Sequence, residues 1–381
     1  MAKHRVFTGK SVFDASVDRM LSLYEEGHRV IVCFSAGKDS GICLEICRIA
    51  ATIAGRLPVE VAMRDEEIMV PGTFEYAERV ANDPDIKFYW IIAGQPVVNI
   101  YNRAEPYFWV FDNQIPSSEW VRQPPENAIR TKHQNIDFFL NDEDYPPPKG
   151  KELIKVLGLR AQESGTRLMG LFSSNGYLTN RQKGGFRKAR PIYDWTDGDV
   201  WKAIHENNWD YNKAYDTLHR MGLPKNDLRI APPTMTVMHI KELALAAKAW
   251  PKWFDKICER LKGVRSATLF GKTAIEPHHR LGETWEETYQ RECIDNAPAE
   301  WLKERTQRLA DYYRRIHGKH STQPFPDIKG CMVCKDMSWK VLSRFGYSGD
   351  PFGSKFPHTL KAIEPEFFRE GAGKWGGKAA F

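Results

Sequence analysis

Apolar residues follow two alternating rhythms along the first part of the chain. The runs Val30-Ile31-Val32-Cys33-Phe34, Pro58-Val59-Glu60-Val61-Ala62-Met63 and Lys87-Phe88-Tyr89-Trp90-Ile91-Ile92 have the length and β-branched or aromatic content of buried strands. Asp14 to Glu26 instead carries Val17, Met20, Leu21 and Tyr24 at helical spacing, and the stretches Ser40 to Ala54 and Thr73 to Val80 also read as helices. Strands alternating with helices predict βαβ units, hence an α/β fold with a mainly parallel sheet flanked by helices. An irregular stretch over 95–150 is rich in aromatics, among them Tyr101, Trp109, Phe111 and Trp120, and reads either as a covering loop facing a substrate or as ordinary packing. Leu153 to Gly158 then restores the strand pattern. From about Met235 the texture turns helical, over 236–262 and 283–316, with Pro251 and Pro277 as punctuation. These shifts divide the chain into residues 1–234 and a mostly helical 235–381, ending in a loose Gly- and Lys-rich tail from Gly371 to Phe381.

The first strand leads into Ser35-Ala36-Gly37-Lys38-Asp39-Ser40. Small side chains at Ser35, Ala36 and Gly37 let backbone N–H groups come close to anionic oxygens. The following helix directs its positive end to the same place. Lys38 adds a mobile charge, and the hydroxyls of Ser35 and Ser40 add donors. The segment therefore reads as a grip for nucleotide phosphate, although the G-x-x-x-x-G-K-[ST] spacing of a Walker loop is absent. The alternative is an ordinary strand–turn–helix.

Composition narrows the class without naming a partner. The chain has 381 residues, 42% hydrophobic and 27% charged, as in a globular protein. No apolar stretch reaches membrane-spanning length, so no membrane role and a cytoplasmic address are expected. A formal net charge of +6 suits an anionic substrate or a nucleic acid equally.

Three further segments could join the grip. Asp65 closes the second strand, where a carboxylate can accept from a ribose hydroxyl or hold Mg²⁺, and Glu66, Glu67, Pro71 and Thr73 follow it. Gly158-Leu159-Arg160-Ala161-Gln162-Glu163-Ser164, with Arg167 three residues on, places two arginines to converge on one anion, with Glu163 to orient one of them. A basic stretch containing Lys183, Arg187 and Lys188 around Gly184-Gly185 reads as a mobile flap that closes on phosphate or tracks a nucleic-acid backbone; a solvated loop is the alternative.

In order, these segments resemble the phosphoadenosine phosphosulfate (PAPS) reductase family within the PP-loop ATP pyrophosphatases. Ser35–Ser40 resembles the signature Ser-Gly-Gly-Lys-Asp-Ser, with Ala36 for Gly, a change that suits a negative φ and not a left-handed one. Asp65, Pro71 and Thr73 match a motif beginning Asp-Thr-Gly, with Glu66 and Glu67 in place of Thr-Gly. Arg160, Glu163, Ser164 and Arg167 match Gly-x-Arg-x-x-Glu-Ser-x-x-Arg. Pro191-Ile192-Tyr193-Asp194-Trp195, Asp199-Val200-Trp201, Asn207, Tyr211, Asn212 and Tyr215 continue the match, which covers roughly residues 30–222.

The resemblance implies an adenine nucleotide alpha hydrolase-like fold that binds ATP or PAPS, with Mg²⁺, through Ser35, Ala36, Gly37, Lys38, Asp39, Ser40, Asp65, Arg160, Glu163, Ser164 and Arg167. Lys38 and Asp39 would be catalytic. Family reductases attack sulfate with a cysteine near the C-terminus, whereas this chain has no cysteine after Cys334. Cleavage of ATP to AMP and pyrophosphate, activating a substrate in sulfur transfer or nucleic-acid modification, is therefore the preferred expectation, with a nucleic acid or a sulfur-donor protein as partner. PAPS reduction in sulfate assimilation and a non-catalytic nucleotide sensor or nucleic-acid-binding subunit are the alternatives.

Seven cysteines do not form a secreted disulfide pattern. Cys33, Cys43 and Cys47 read as small core residues. Cys331-x-x-Cys334 supplies two metal ligands and needs two more. Cys258 and Cys293 complete one set, suited to zinc or an iron–sulfur cluster. His317 and His320 complete another, suited to zinc, and a bare redox dithiol is a third option. Cysteine-bound clusters in some family members favour the four-cysteine set.

Overall fold

A computed structural model describes residues 9–92, 97–104, 107–131, 139–174, 176–234, 240–334 and 336–348; the tail from Gly371 and parts of the aromatic stretch lie outside them. The chain forms two compact units. The first contains residues 1–94, 124–220 and 224–231, and the second 95–123, 221–223 and 232–381. The sequence set a single break at 234, but much of the aromatic stretch groups with the C-terminal unit, a long-range association that local periodicity does not record.

In the first unit, α1 (Val12–Glu25) is capped by Ser11, whose Oγ accepts from the Asp14 N–H at 3.0 Å. There follow β1 (Arg29–Phe34), α2 (Lys38–Ile53), β2 (Val59–Asp65), α3 (Thr73–Ala81) and β3 (Ile86–Ile92). The short β4 (Val97–Val98) and β5 (Tyr107–Phe108) pair antiparallel in the second unit. The first unit then resumes with β6 (Ile129–Arg130), β7 (Leu153–Val156), α4 (Gly165–Ser173), β8 (Phe186–Ala189), α5 (Asp197–Glu206) and α6 (Ala214–Arg220).

The sheet is parallel throughout, in the order β6-β3-β2-β1-β7-β8. Central strands of such a sheet are covered on both faces and read as unbroken apolar runs, which is why β1, β2, β3 and β7 were visible in the sequence. Val30, Val32 and Phe34 pack in one cluster with α1 and α2, while Ile31 joins Ala62, Ile91, Leu153 and Phe186 on the other face. Trp195 is fully buried and donates its indole N–H to the Val12 carbonyl at 3.0 Å and to Ser16 Oγ at 2.8 Å. The Pro-Ile-x-x-Trp motif thus packs the chain against α1.

The order reverses between β1 and β7: β2 and β3 lie to one side of β1, and β7 and β8 to the other. The switch point between the carboxyl ends of β1 and β7 is where open parallel sheets usually carry a ligand crevice.

The second unit is helical, as expected, with α7 (Ile240–Ala249), α8 (Pro251–Arg260), α9 (Val264–Phe270), α10 (Trp285–Tyr289), α11 (Glu300–Gly318) and α12 (Trp339–Ser348). Pro251 occupies the first turn of α8, where its missing N–H costs nothing. No helix among the described residues is long and apolar enough to cross a membrane.

Glu242 on α7 is buried, its Oε1 has no hydrogen-bond partner among the described residues, and desolvation pushes its carboxyl up to about 8. The folded chain therefore holds a proton that the unfolded chain has released, and stability falls as pH rises from about 4.5 to about 8. Glu242→Gln is expected to flatten that decline and raise the melting temperature at pH 8, read by thermal denaturation at several pH values.

Candidate functional site

The crevice is lined by the turn after β1 and the turn after β7, held together by close backbone packing. A Cβ on Gly158 would stand 2.7 Å from the Asp39 carbonyl carbon and 2.9 Å from the Ser40 nitrogen, so glycine alone lets the β7 turn rest on the first turn of α2. Within the 35–40 loop, the Ser35 N–H donates to Ser40 Oγ at 3.2 Å, and Ser40 Oγ donates to the Gly37 carbonyl at 2.9 Å. The two serines brace the loop.

Asn212 supports it from beneath. Fully buried, it donates to the Ala36 carbonyl at 3.0 Å and to Thr73 Oγ1 at 3.1 Å, while its Oδ1 accepts from the Ala214 N–H at 2.9 Å. Gly37 caps α2 without a side chain, so the first N–H groups of the helix face the crevice unblocked by a capping side chain. One of them, on Lys38, donates to the Tyr215 hydroxyl at 3.1 Å.

Charge is concentrated at the same point. Lys38 is buried, with its ammonium 3.3 Å from Asp197, 3.5 Å from Asp39 and 3.5 Å from the Leu228 carbonyl. Arg160, also buried, places Nε 2.7 Å from Asp39 Oδ1 and an NH2 nitrogen 3.2 Å from Asp197. The Arg160–Asp39 approach has ion-pair distance without hydrogen-bond alignment: both atoms are buried, and neither has a hydrogen-bond partner among the described residues. Two buried cations thus face two carboxylates beside a helix N-terminus, a balanced cluster that keeps unfilled polar valence.

Glu163 accepts from the Arg160 N–H at 3.1 Å and ion-pairs with Arg167. Ser164 caps α4 by accepting from the Arg167 N–H at 3.2 Å. Burial, reinforced by the positive charges of Arg229 and Arg160, holds the Arg167 guanidinium below its ordinary range, so the three arginines share one field. Sequence reasoning missed Asp197 and Arg229. No spacing flags either, because only the fold brings α5 and the segment after α6 beside the loop.

Two expectations change. Asp65 does end β2, but it is fully buried, accepting from the Glu67 N–H at 2.9 Å and from the Trp90 indole N–H at 2.7 Å. It shapes the strand end rather than facing a ligand. The supposed flap is largely an edge strand: Arg187 and Lys188 lie on β8, and Arg187 donates to the Thr179 carbonyl at 2.7 Å and pairs with Glu152 at 3.0 Å. Lys183 is exposed in the turn before it. A basic run was mistaken for a loop because its strand is half polar.

Both departures from the family motifs stand at left-handed backbone. Ala36 has φ +54° and Glu67 φ +65°, where the resembling motifs carry glycine. The backbone keeps a glycine conformation that a Cβ strains by about 1 kcal/mol. Ala36→Gly relieves that strain but loosens the unfolded chain by a similar amount, so a gain of about 0–1 kcal/mol is expected in denaturant titration.

Elsewhere, Cys331 and Cys334 meet His317 and His320, not Cys258 and Cys293. The four ligand atoms of the former group lie within 4.8 Å of one another. Cys293 is buried and donates its thiol to the Ser343 carbonyl at 3.2 Å, with desolvation pushing it up to about 12. Cys258 sits half-buried on α8. The four-cysteine set therefore gives way to the mixed set, because the end of α11 carries its histidines to the Cys-x-x-Cys turn.

A parallel sheet with a small-residue strand–turn–helix at its switch point is an arrangement on which α/β proteins bind ligands. More narrowly, residues 148–324 match the model of the phosphoadenosine phosphosulfate reductase domain, the family that the motifs resemble. The 35–40 loop lies before the matched segment. The Escherichia coli K-12 protein YbdN, described as uncharacterized, is 23% identical over 393 residues, covering 92% of this chain and 91% of the relative. Among solved structures, Candida glabrata FMN adenylyltransferase in complex with ATP aligns over 56% of this chain with 10% identity and a TM-score of 0.33. The chain spans 63% of that enzyme's length, just under two thirds. The phosphate complex of Candida auris PAPS reductase aligns over 52% of this chain and 89% of the reductase, with 16% identity and a TM-score of 0.28.

Proposed function

We propose that the crevice between β1 and β7 binds an adenine nucleotide and that the protein cleaves ATP between its α and β phosphates. The observation that carries this reading is the pairing of buried Lys38 and Arg160 at the open N-terminus of α2. An acceptor oxygen attacks the α-phosphorus, the bond to the α–β bridging oxygen breaks, and pyrophosphate leaves with the electron pair. The sulfur nucleophile, or water, then attacks the adenylylated acceptor, and AMP leaves with the acceptor oxygen and the electron pair of the bond that breaks. Lys38 meets the charge that develops on that oxygen, while Asp39 and Asp197 hold Lys38 and Arg160 in place. Arg167, freed from Glu163, extends the grip to the outer phosphates. Mg²⁺ carried in with the nucleotide would neutralise phosphate charge.

The acceptor is a nucleic acid or a sulfur-carrying protein, in keeping with the positive net charge and with the family's sulfur chemistry. PAPS reduction has weaker support, since it needs an unencumbered thiolate and Cys331 and Cys334 are engaged with two imidazoles. Incubating the full chain with labelled ATP, with and without added RNA or DNA or a persulfide donor, tests the reading. AMP and pyrophosphate in equal amounts support it. Sulfite from labelled PAPS would install reduction in its place, and nucleotide binding without any turnover would leave a sensor.

A further inference from the structure

We propose that His317, His320, Cys331 and Cys334 form a structural zinc site in the helical unit, independent of the nucleotide reading. Zinc bonds of about 2.0–2.1 Å to nitrogen and about 2.3 Å to sulfur, set tetrahedrally, separate neighbouring donors by roughly 3.3–3.8 Å. Here His317 Nδ1 lies 3.2 Å from Cys334 Sγ, His320 Nε2 3.3 Å from Cys331 Sγ, and Cys334 Sγ 3.6 Å from His320 Nε2. Those distances suit one ion shared by all four. A two-iron centre with histidines on one iron and cysteines on the other would hold its sulfurs and nitrogens far apart, and a cubane would do the same with its thiolates.

The surroundings give a second, separate indication. His317 Nε2 is 3.1 Å from the Gln323 carbonyl, and His320 Nδ1 is 2.9 Å from the Ile316 carbonyl. Each carbonyl accepts the ring N–H, which leaves the bare nitrogen of each ring facing the sulfurs, the orientation that metal-bound histidines adopt. The backbone is shaped to match. His317 ends α11 and His320 lies in the turn beyond it, so the two rings come from one helix terminus. Across from them the Cys334 N–H donates to Cys331 Sγ at 3.4 Å, the Asp336 N–H to the Cys331 carbonyl at 2.9 Å and the Met337 N–H to the Cys334 carbonyl at 3.0 Å. A Cβ on Gly330 would fall 2.2 Å from the Asp336 carbonyl carbon, so only glycine admits this tight return.

Cys334 and His317 are buried, and Cys334 lies in one apolar cluster with Leu309, Tyr313, Trp339 and Leu342. The ion would therefore pin the end of α11 to the start of α12. In so small a core such a crosslink stabilises in the manner of a disulfide.

The test is the metal content of the full chain purified without chelator, with zinc-edge X-ray absorption to identify the ligands. About one zinc per chain, bound by two sulfurs and two nitrogens, is expected. Cys331→Ser and His320→Ala, both at the more open side of the cluster, are expected to lower zinc retention about tenfold or more, and Cys258→Ser to leave it unchanged. Since loss of zinc can unfold a variant, cobalt(II) loading of the stripped wild-type chain provides a second readout, with tetrahedral thiolate bands expected. Iron in place of zinc, zinc lost on replacing Cys258, or a reduced wild-type chain that takes up neither zinc nor cobalt would overturn the proposal.

Discussion

Replacing Lys38 by Ala is expected to lower ATP cleavage by about a hundredfold to a thousandfold, the range seen when one preorganised donor to a developing oxyanion is removed. The ammonium lies in a nearly dry site 3.3 Å from Asp197 and 3.5 Å from Asp39, so its charge is weakly screened and already aimed. Removing it also leaves two carboxylates facing Arg160 alone, at a cost of about 1–2 kcal/mol in folding. Lys38→Arg separates the two effects. It keeps the charge and most of the stability, but its planar fork cannot follow the path of a slender ammonium, so turnover should stay low. The check is pyrophosphate release beside a thermal melt for each variant. A Lys38→Ala protein that folds normally and releases pyrophosphate at the wild-type rate would remove the residue from the chemistry.

Gly158→Ala is expected to destabilise the first unit by about 1–3 kcal/mol and lower the melting temperature by roughly 3–10 °C. The added methyl meets backbone, at 2.7 Å and 2.8 Å from the Asp39 carbonyl and 2.9 Å from the Ser40 nitrogen, so no flexible side chain can yield. Either the first turn of α2 moves or the β7 turn lifts away, and both pull Arg160 off Asp39. Nucleotide affinity should fall with stability for that reason. Gly165→Ala is the control, because nothing among the described residues lies within 4 Å of the Cβ it would add. If Gly158→Ala melted and bound nucleotide like its parent, the two turns would not be in contact.

The legible parts of the sequence were those whose signals are local. β1, β2, β3 and β7 are apolar runs, α1 and α2 follow helical spacing, and the loop between β1 and α2 carries its chemistry in six consecutive residues. What escaped was long-range. β8 was hidden because its two half-buried positions are Arg187, which pairs with Glu152, and Lys188, whose backbone N–H donates to Thr179 Oγ1. Asp197 joined the site only through the adjacency of β1 and β7, and Asp65 turned inward because Trp90 on the neighbouring strand offers its indole N–H. The cysteines were grouped by kind, whereas the fold groups by distance, and two histidines at a helix end lay nearer than two cysteines.

Isothermal titration of the full chain with ATP, PAPS and AMP, repeated with Arg160→Ala, bears most directly on the shared pocket of the 35–40 loop and Arg160. A saturable one-to-one isotherm is predicted for at least one of the three, weakened about tenfold or more in the variant. An absence of heat with every adenylate, or an affinity indifferent to Arg160, would contradict it.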